Sequence, residues 1–103
     1  MIGVLKKIFG KSAKIDFASL IAEGAQIVDV RSKGEYAGGH LKNSMNIPLN
    51  ELPAHLRKLK QEKPVITCCA SGMRSASARS ILQSKGFTVY NGGSWTSLQK
   101  HIL

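Results

Sequence analysis

Cysteine is scarce in this chain: there are two, Cys68 and Cys69, and they are adjacent. A bridge between neighbours closes almost no loop and is strained, so a disulfide framework is excluded. The 103 residues must fold on a hydrophobic core, and they suffice for one domain. At least one free thiol points to a reducing compartment, and a cytoplasmic location is expected. Acidic residues are also few, 6 against 15 Lys and Arg, for a net charge of +9. Such a field concentrates small anions near the surface. It does not make a nucleic-acid strip, because the basic residues are scattered and the aromatics, 6% of the chain, do not interleave with them. No run approaches the roughly 18 apolar residues of a membrane span. Metal-ligand spacing is missing as well: His40 and Glu35 form no ligand set, so neither metal nor cofactor is expected. His40 reads as a residue that fixes its loop by hydrogen bonding.

The first segment, residues 1–13, is amphipathic and basic. Ile2, Leu5, Ile8 and Phe9 share one helical face, with Lys6, Lys7 and Lys11 nearby. The lysines interrupt the apolar run and no cleavage site follows, unlike a signal peptide. A terminal helix packed on the body, or a frayed tail, is the expectation, and an anchor on an anionic membrane is the alternative.

Residues 14–103 read as one α/β domain. Asp16 is placed to cap a helix over Lys14–Gly24, with Phe17, Leu20 and Ile21 on its apolar face. Ala25–Val30 is a near-continuous apolar run, as in a parallel strand covered on both faces. Ser32–Ala37 begins a helical turn, and Met45–Pro48 is a short extended segment. Asn50–Lys60 has the period of a helix, with Leu52, Leu56 and Leu59 on one side. Val65–Cys68 is the next buried strand, Arg74–Lys85 a helix stopped by Gly86, and Phe87–Tyr90 a strand. Asn91-Gly92-Gly93 reads as a turn, with Ser94 capping a last helix that carries Trp95 and Leu98. This alternation predicts an open, mostly parallel sheet with helices on both faces. In such sheets ligands bind beyond the carboxyl ends of the strands.

Cys69 lies at one of those ends. It is followed by Ala70-Ser71-Gly72-Met73-Arg74-Ser75, a short Gly-containing loop that opens a helix. Backbone N–H groups in such a loop converge on an anion, and the helix N-terminus adds partial positive charge. Both stabilise a thiolate, so a lowered thiol pKa is predicted here.

The ordered blocks Ile27-Val28-Asp29-Val30-Arg31, Glu35-Tyr36, Gly39-His40-Leu41, Asn46-Ile47-Pro48, Cys69 to Ser75, Gly86-Phe87 and Gly92-Gly93 resemble the single-domain rhodanese family of sulfurtransferases. The resemblance implies a rhodanese-like fold and a catalytic loop from Cys69 to Arg74. It also implies a ping-pong reaction in which Cys69 takes sulfane sulfur from a small anionic donor such as thiosulfate. The Cys69 persulfide then passes sulfur to cyanide, a thiol or a sulfur-accepting protein. Cys69 and Arg74 are the expected catalytic residues, with Arg74 facing the sulfonate of the donor. Ala70, Ser71, Gly72, Met73 and Ser75 are the expected binding residues: backbone amides for the anion, serine hydroxyls and the glycine to shape the loop. Met73 lines the entrance or points to solvent, and Trp95 covers a cleft or packs in the core. Asp29 and Arg31 read as scaffold rather than acid–base catalysts.

Two alternatives stay open. Counted from Cys69 the loop is Cys-x4-Arg, the sulfurtransferase spacing; counted from Cys68 it is Cys-x5-Arg, the spacing of cysteine-dependent phosphatases and arsenate reductases. Thr67 stands where a histidine commonly precedes a phosphatase cysteine, which favours the Cys69 frame. A non-catalytic, sulfur-carrying binding module is the other alternative. Cys68 then fills the strand end as a small apolar side chain, or resolves an oxidised Cys69.

Overall fold

A computed structural model describes residues 15–102 of the chain. The amphipathic segment over residues 1–13 lies outside them. Four parallel strands form one sheet in the order β2-β1-β3-β4: β1 is Gln26–Asp29, β2 Met45–Asn46, β3 Val65–Cys69 and β4 Val89–Ser94. The helices are α1 (Phe17–Ala22), α2 (Lys33–Ala37), α3 (Met73–Ser84) and α4 (Trp95–Ile102). No helix among the described residues is long and apolar enough to cross a membrane.

Alternation along the strands sends side chains to two separate cores. Val28, Val30, Val65 and Cys69 face one side with Leu52, Ala78 and Leu82, under α3 and the segment after β2. Ile27, Ile66 and Cys68 face the other with Leu98, under α4 and α1. The two cysteines therefore point to opposite faces of the sheet, which one residue of strand pitch requires.

Local signals place the ends of the elements. The Asp16 carboxylate accepts from Ser19 N–H at 3.0 Å and caps α1. Ser32 and Glu35 form a reciprocal capping box on α2, each side chain accepting from the other's backbone N–H.

Two elements differ from the sequence reading. The helix expected over Asn50–Lys60 is a 3-10 segment, Leu49–Lys58, interrupted at His55 (φ −121°). Pro53 sits inside it, has no N–H to donate, and its ring crowds the carbonyl one turn back, so a regular α-helix cannot form. The turn expected at Asn91-Gly92-Gly93 is strand: β4 runs through it to Ser94. Thr67 pairs with Asn91 and Cys69 with Ser94, so β4 spends one extra residue opposite the end of β3, as a bulge. Gly93 takes φ +79° there, and a Cβ on Gly92 would lie 2.9 Å from the Thr67 carbonyl oxygen. The glycine pair thus permits a bulge and a close approach beside Cys69.

Candidate active site

Cys69 ends β3, and Gly72 caps α3 from a left-handed conformation, φ +103°. That conformation, open to glycine, turns the chain back over the thiol. Gly72 N–H donates to Cys69 Sγ at 3.0 Å and Ser75 N–H at 3.3 Å. Ser71 N–H contributes a further bond, and the thiol donates to Ser75 Oγ at 3.4 Å. Burial pushes the Cys69 thiol up. Once the sulfur is ionised, the bond available to it from the Ser75 hydroxyl and those from the N–H groups of Ser75, Gly72 and Ser71 outweigh burial, and hold the pKa below the ordinary 9.0. The resting sulfur has no exposed surface.

Cys68 has the opposite character. It is fully buried among apolar side chains on the other face, in register with Asp29. Burial, reinforced by the Asp29 charge, pushes its thiol up to about 12. It is inert near neutral pH.

Several side chains fix the loop. Thr67 Oγ1 donates to the Ser75 carbonyl at 2.9 Å, tying the first turn of α3 to the strand. Ser75 Oγ donates to Asn91 Oδ1 at 2.6 Å, and Asn91 Nδ2 donates to the Gly72 carbonyl at 3.3 Å. Arg74 makes a bidentate pair with Glu35, at 2.7 and 3.0 Å. The same carboxylate belongs to the α2 capping box, so one acidic side chain joins the β1–α2 connection to the loop. Arg74 holds the Glu35 carboxyl down at about 2, with Ser32 N–H assisting. A hollow of about 490 Å³, lined by Val30, Ser32, Lys33, Pro48, Leu49 and Arg74 among others, opens beside this pair.

Behind it, Arg31 donates to Asp29 through Nε and Nη2 (2.7 Å at the closest) and to the Gly39 carbonyl at 2.7 Å. Its guanidinium lies 4.9 Å from the centre of the Trp95 ring. Asn46 Nδ2 reaches the carbonyls of Asp29 and Arg31, both at 3.0 Å. These residues brace the strand ends, and none of them touches the thiol.

This arrangement, a thiol at the end of a central parallel strand under a loop of inward N–H groups, can be compared with known proteins. The sequence matches the rhodanese-like domain over residues 14–100. The chain belongs to the rhodanese-like family. Among curated relatives, the rhodanese-like chain is 38% identical over 68 residues to the uncharacterized protein YqhL of Bacillus subtilis, covering 65% of this chain and 54% of that one. It is 33% identical over 70 residues to the thiosulfate sulfurtransferase GlpE of Pseudomonas fluorescens, covering 68% of this chain and 64% of that one. The chain thus spans about half to two thirds of the length of these two relatives. Among solved structures, the human single-domain sulfurtransferase TSTD1 superposes with a TM-score of 0.72 at 30% identity, over 82% of this chain and 89% of that one.

In this rhodanese-like domain the residues singled out from sequence fall as follows. Gly72, Ser71 and Ser75 surround Cys69; Ser71 acts through its N–H, whereas Ser75 acts through both N–H and hydroxyl. Ala70 is exposed on the loop, and Met73 is 78% exposed and points to solvent. Arg74 is held by Glu35, 39 residues away in sequence, with its remaining surface on the hollow. His40 Nδ1 is 2.9 Å from the Tyr36 carbonyl and its ring stacks on Tyr36, which fixes the loop after α2. Trp95 packs against the core on the α4 face and under Arg31. Two site residues escaped the sequence reading. Glu35 had a legible signal, the Ser32-x-x-Glu35 capping spacing, although its bond to Arg74 had none. Asn91 had no signal, because an Asn-Gly-Gly stretch reads as a turn.

Proposed function

We propose that the domain is a sulfurtransferase that carries sulfane sulfur on Cys69. The observation that carries this reading is the ring of donors, Gly72 N–H and Ser75 N–H at 3.0 and 3.3 Å, closed on a single sulfur atom. The names of relatives, among them GlpE and TSTD1, support the same class. In the first half-reaction the Cys69 thiolate attacks the outer sulfur of thiosulfate. The new S–S bond forms as the donor's S–S bond breaks, and sulfite leaves with the electron pair. The loop N–H groups then face the terminal S⁻ of the persulfide, a charge that fixed dipoles stabilise without reorganising. In the second half-reaction cyanide or a thiolate attacks that terminal sulfur, and the Cys69 thiolate departs with the bonding pair. The basic surface, at a net +9, draws the anionic donor in.

A phosphatase acting through Cys68 lacks support: that thiol is on the far face of the sheet with its pKa at about 12. Thiocyanate release from thiosulfate and cyanide tests the proposal. Turnover is expected in the wild type and in Cys68→Ala, and not in Cys69→Ser. Its pH profile should rise with ionisation of Cys69, with a midpoint below 9.0, since that thiol is held under its ordinary value. Hydrolysis of an aryl phosphate without thiocyanate formation would overturn it.

A further inference from the structure

Ser75 Oγ carries one hydrogen, and two groups compete for it. Asn91 Oδ1 takes it in the structure, at 2.6 Å, while the Cys69 sulfur lies 3.4 Å from the same oxygen. In this arrangement the hydroxyl accepts from the neutral thiol and gives its hydrogen away from the sulfur. A thiolate reverses the demand, because S⁻ can only accept. The thiol proton then leaves to water, and Ser75 must turn its hydrogen from Asn91 to Sγ.

Asn91 cannot relax to help. Its Oδ1 also accepts from Gly93 N–H at 2.9 Å, and its Nδ2 donates to the Gly72 carbonyl at 3.3 Å. A flipped amide would face donor to donor at Gly93 and acceptor to acceptor at Gly72. The bulge that places Gly93 and the loop that places Gly72 therefore fix Asn91 as an acceptor toward Ser75.

We propose that Asn91 is a positioning residue that governs the reactivity of Cys69 by competing with the sulfur for the single hydrogen of the Ser75 hydroxyl. The proposal rests on Cys69 being the reacting thiol. Asn91 favours the protonated thiol over the thiolate, and likewise opposes the terminal S⁻ of a persulfide wherever that sulfur calls on Ser75. The same side chain holds the loop closed through Gly72, so order in the loop and full ionisation of the thiol are set against each other.

The charged and ionisable groups around the thiol are few. Cys68 precedes it on β3 and stays neutral; Arg74 acts from α3 with Glu35 of α2 upon it; Asp29 of β1 and Arg31 just after it lie by Cys68 as a closed pair. The segment of β4 beside Cys69, Asn91 to Ser94, carries no ionisable side chain. None of these charges changes when Asn91 is replaced by a neutral residue.

The test is the pH dependence of Cys69 alkylation by iodoacetamide, read by peptide mass, in Asn91→Ala with Ser75 intact and in a Ser75→Ala background. Asn91→Ala frees the hydroxyl for the thiolate and should lower the midpoint by about one pH unit, since a hydrogen bond to the charged form favours it. In the Ser75→Ala background the same substitution should not lower it. An unchanged or raised midpoint with Ser75 present, or equal changes in both backgrounds, would overturn the proposal. Should Asn91→Ala not fold, Asn91→Asp keeps the shape and the acceptor and adds a charge. It should raise the midpoint, and by more with Ser75 than without; equal rises would count against the competition. The readout needs no sulfur donor, so it stands apart from the transferase reading: sulfur uptake on Cys69 can succeed where the coupling fails, and the reverse.

Discussion

Removing the Asp29 carboxylate should destabilise this domain strongly, for a reason visible in its surroundings. Asp29 is fully buried, and the Arg31 side chain is 5% exposed. The carboxylate accepts from Arg31 Nε at 2.9 and 3.0 Å, from Nη2 at 2.7 Å and from the Arg31 backbone N–H at 3.0 Å. Asp29→Ala leaves the guanidinium with carbonyl partners at Gly39 and Glu35 and no countercharge in contact. Removing one partner of a buried ion pair costs about 3–5 kcal/mol. That is a large part of the roughly 5–15 kcal/mol by which such domains are stable. At about 4–8 °C per kcal/mol for a domain of this size, the melting temperature should fall by about 12–40 °C. Urea denaturation followed by circular dichroism measures the free-energy loss, and a thermal melt the fall in melting temperature. The cost arises from the stranded charge, so Asp29→Ala/Arg31→Met should recover a good part of the loss. A single substitution costing less than about 1 kcal/mol, or a double variant no better than the single, would refute the reasoning.

The Glu35 carboxyl, followed by carbon-13 NMR, should titrate near pH 2 rather than 4.5, and Arg74→Met should return it only part of the way because Ser32 N–H still binds it. A folded pKa below the unfolded one means that this contribution to stability is complete above pH 4.5 and is lost as pH falls toward 2. Gly92→Ala should cost about 1–3 kcal/mol in urea, since its Cβ would meet the Thr67 carbonyl at 2.9 Å and side-chain atoms of Ile66 and Leu98 at 3.0 Å; a neutral substitution would show that the β4 bulge moves freely.

The parts of the fold legible in the sequence are those set by local chemistry. The apolar runs at Ile27 to Val30 and Val65 to Cys68 announce strands covered on both faces, and Asp16 announces the start of a helix through its cap. The loop after Cys69 was legible for the same reason: a glycine three residues past a buried strand end can reverse the chain, and its N–H groups then have one place to point. What was not legible depends on partners distant in the chain. Leu52, Leu56 and Leu59 keep a helical period whether the segment is α or 3-10, so the effect of Pro53 on the ladder outweighed the pattern. Gly92 and Gly93 carry the composition of a turn, and only the closeness of Thr67 and Leu98 makes them strand. The bond from Arg74 to Glu35 was not legible because Glu35 arrives from another connection. Asn91 reaches Ser75 and Gly72 only after β4 has paired with β3.

The central claim is that Cys69, and not Cys68, carries the sulfur. Incubation with thiosulfate, removal of excess donor and intact mass measurement test it most directly. A gain of one sulfur atom, released by cyanide, is expected in the wild type and in Cys68→Ala, and no gain in Cys69→Ser. An adduct that survives Cys69→Ser and is lost in Cys68→Ala would contradict it.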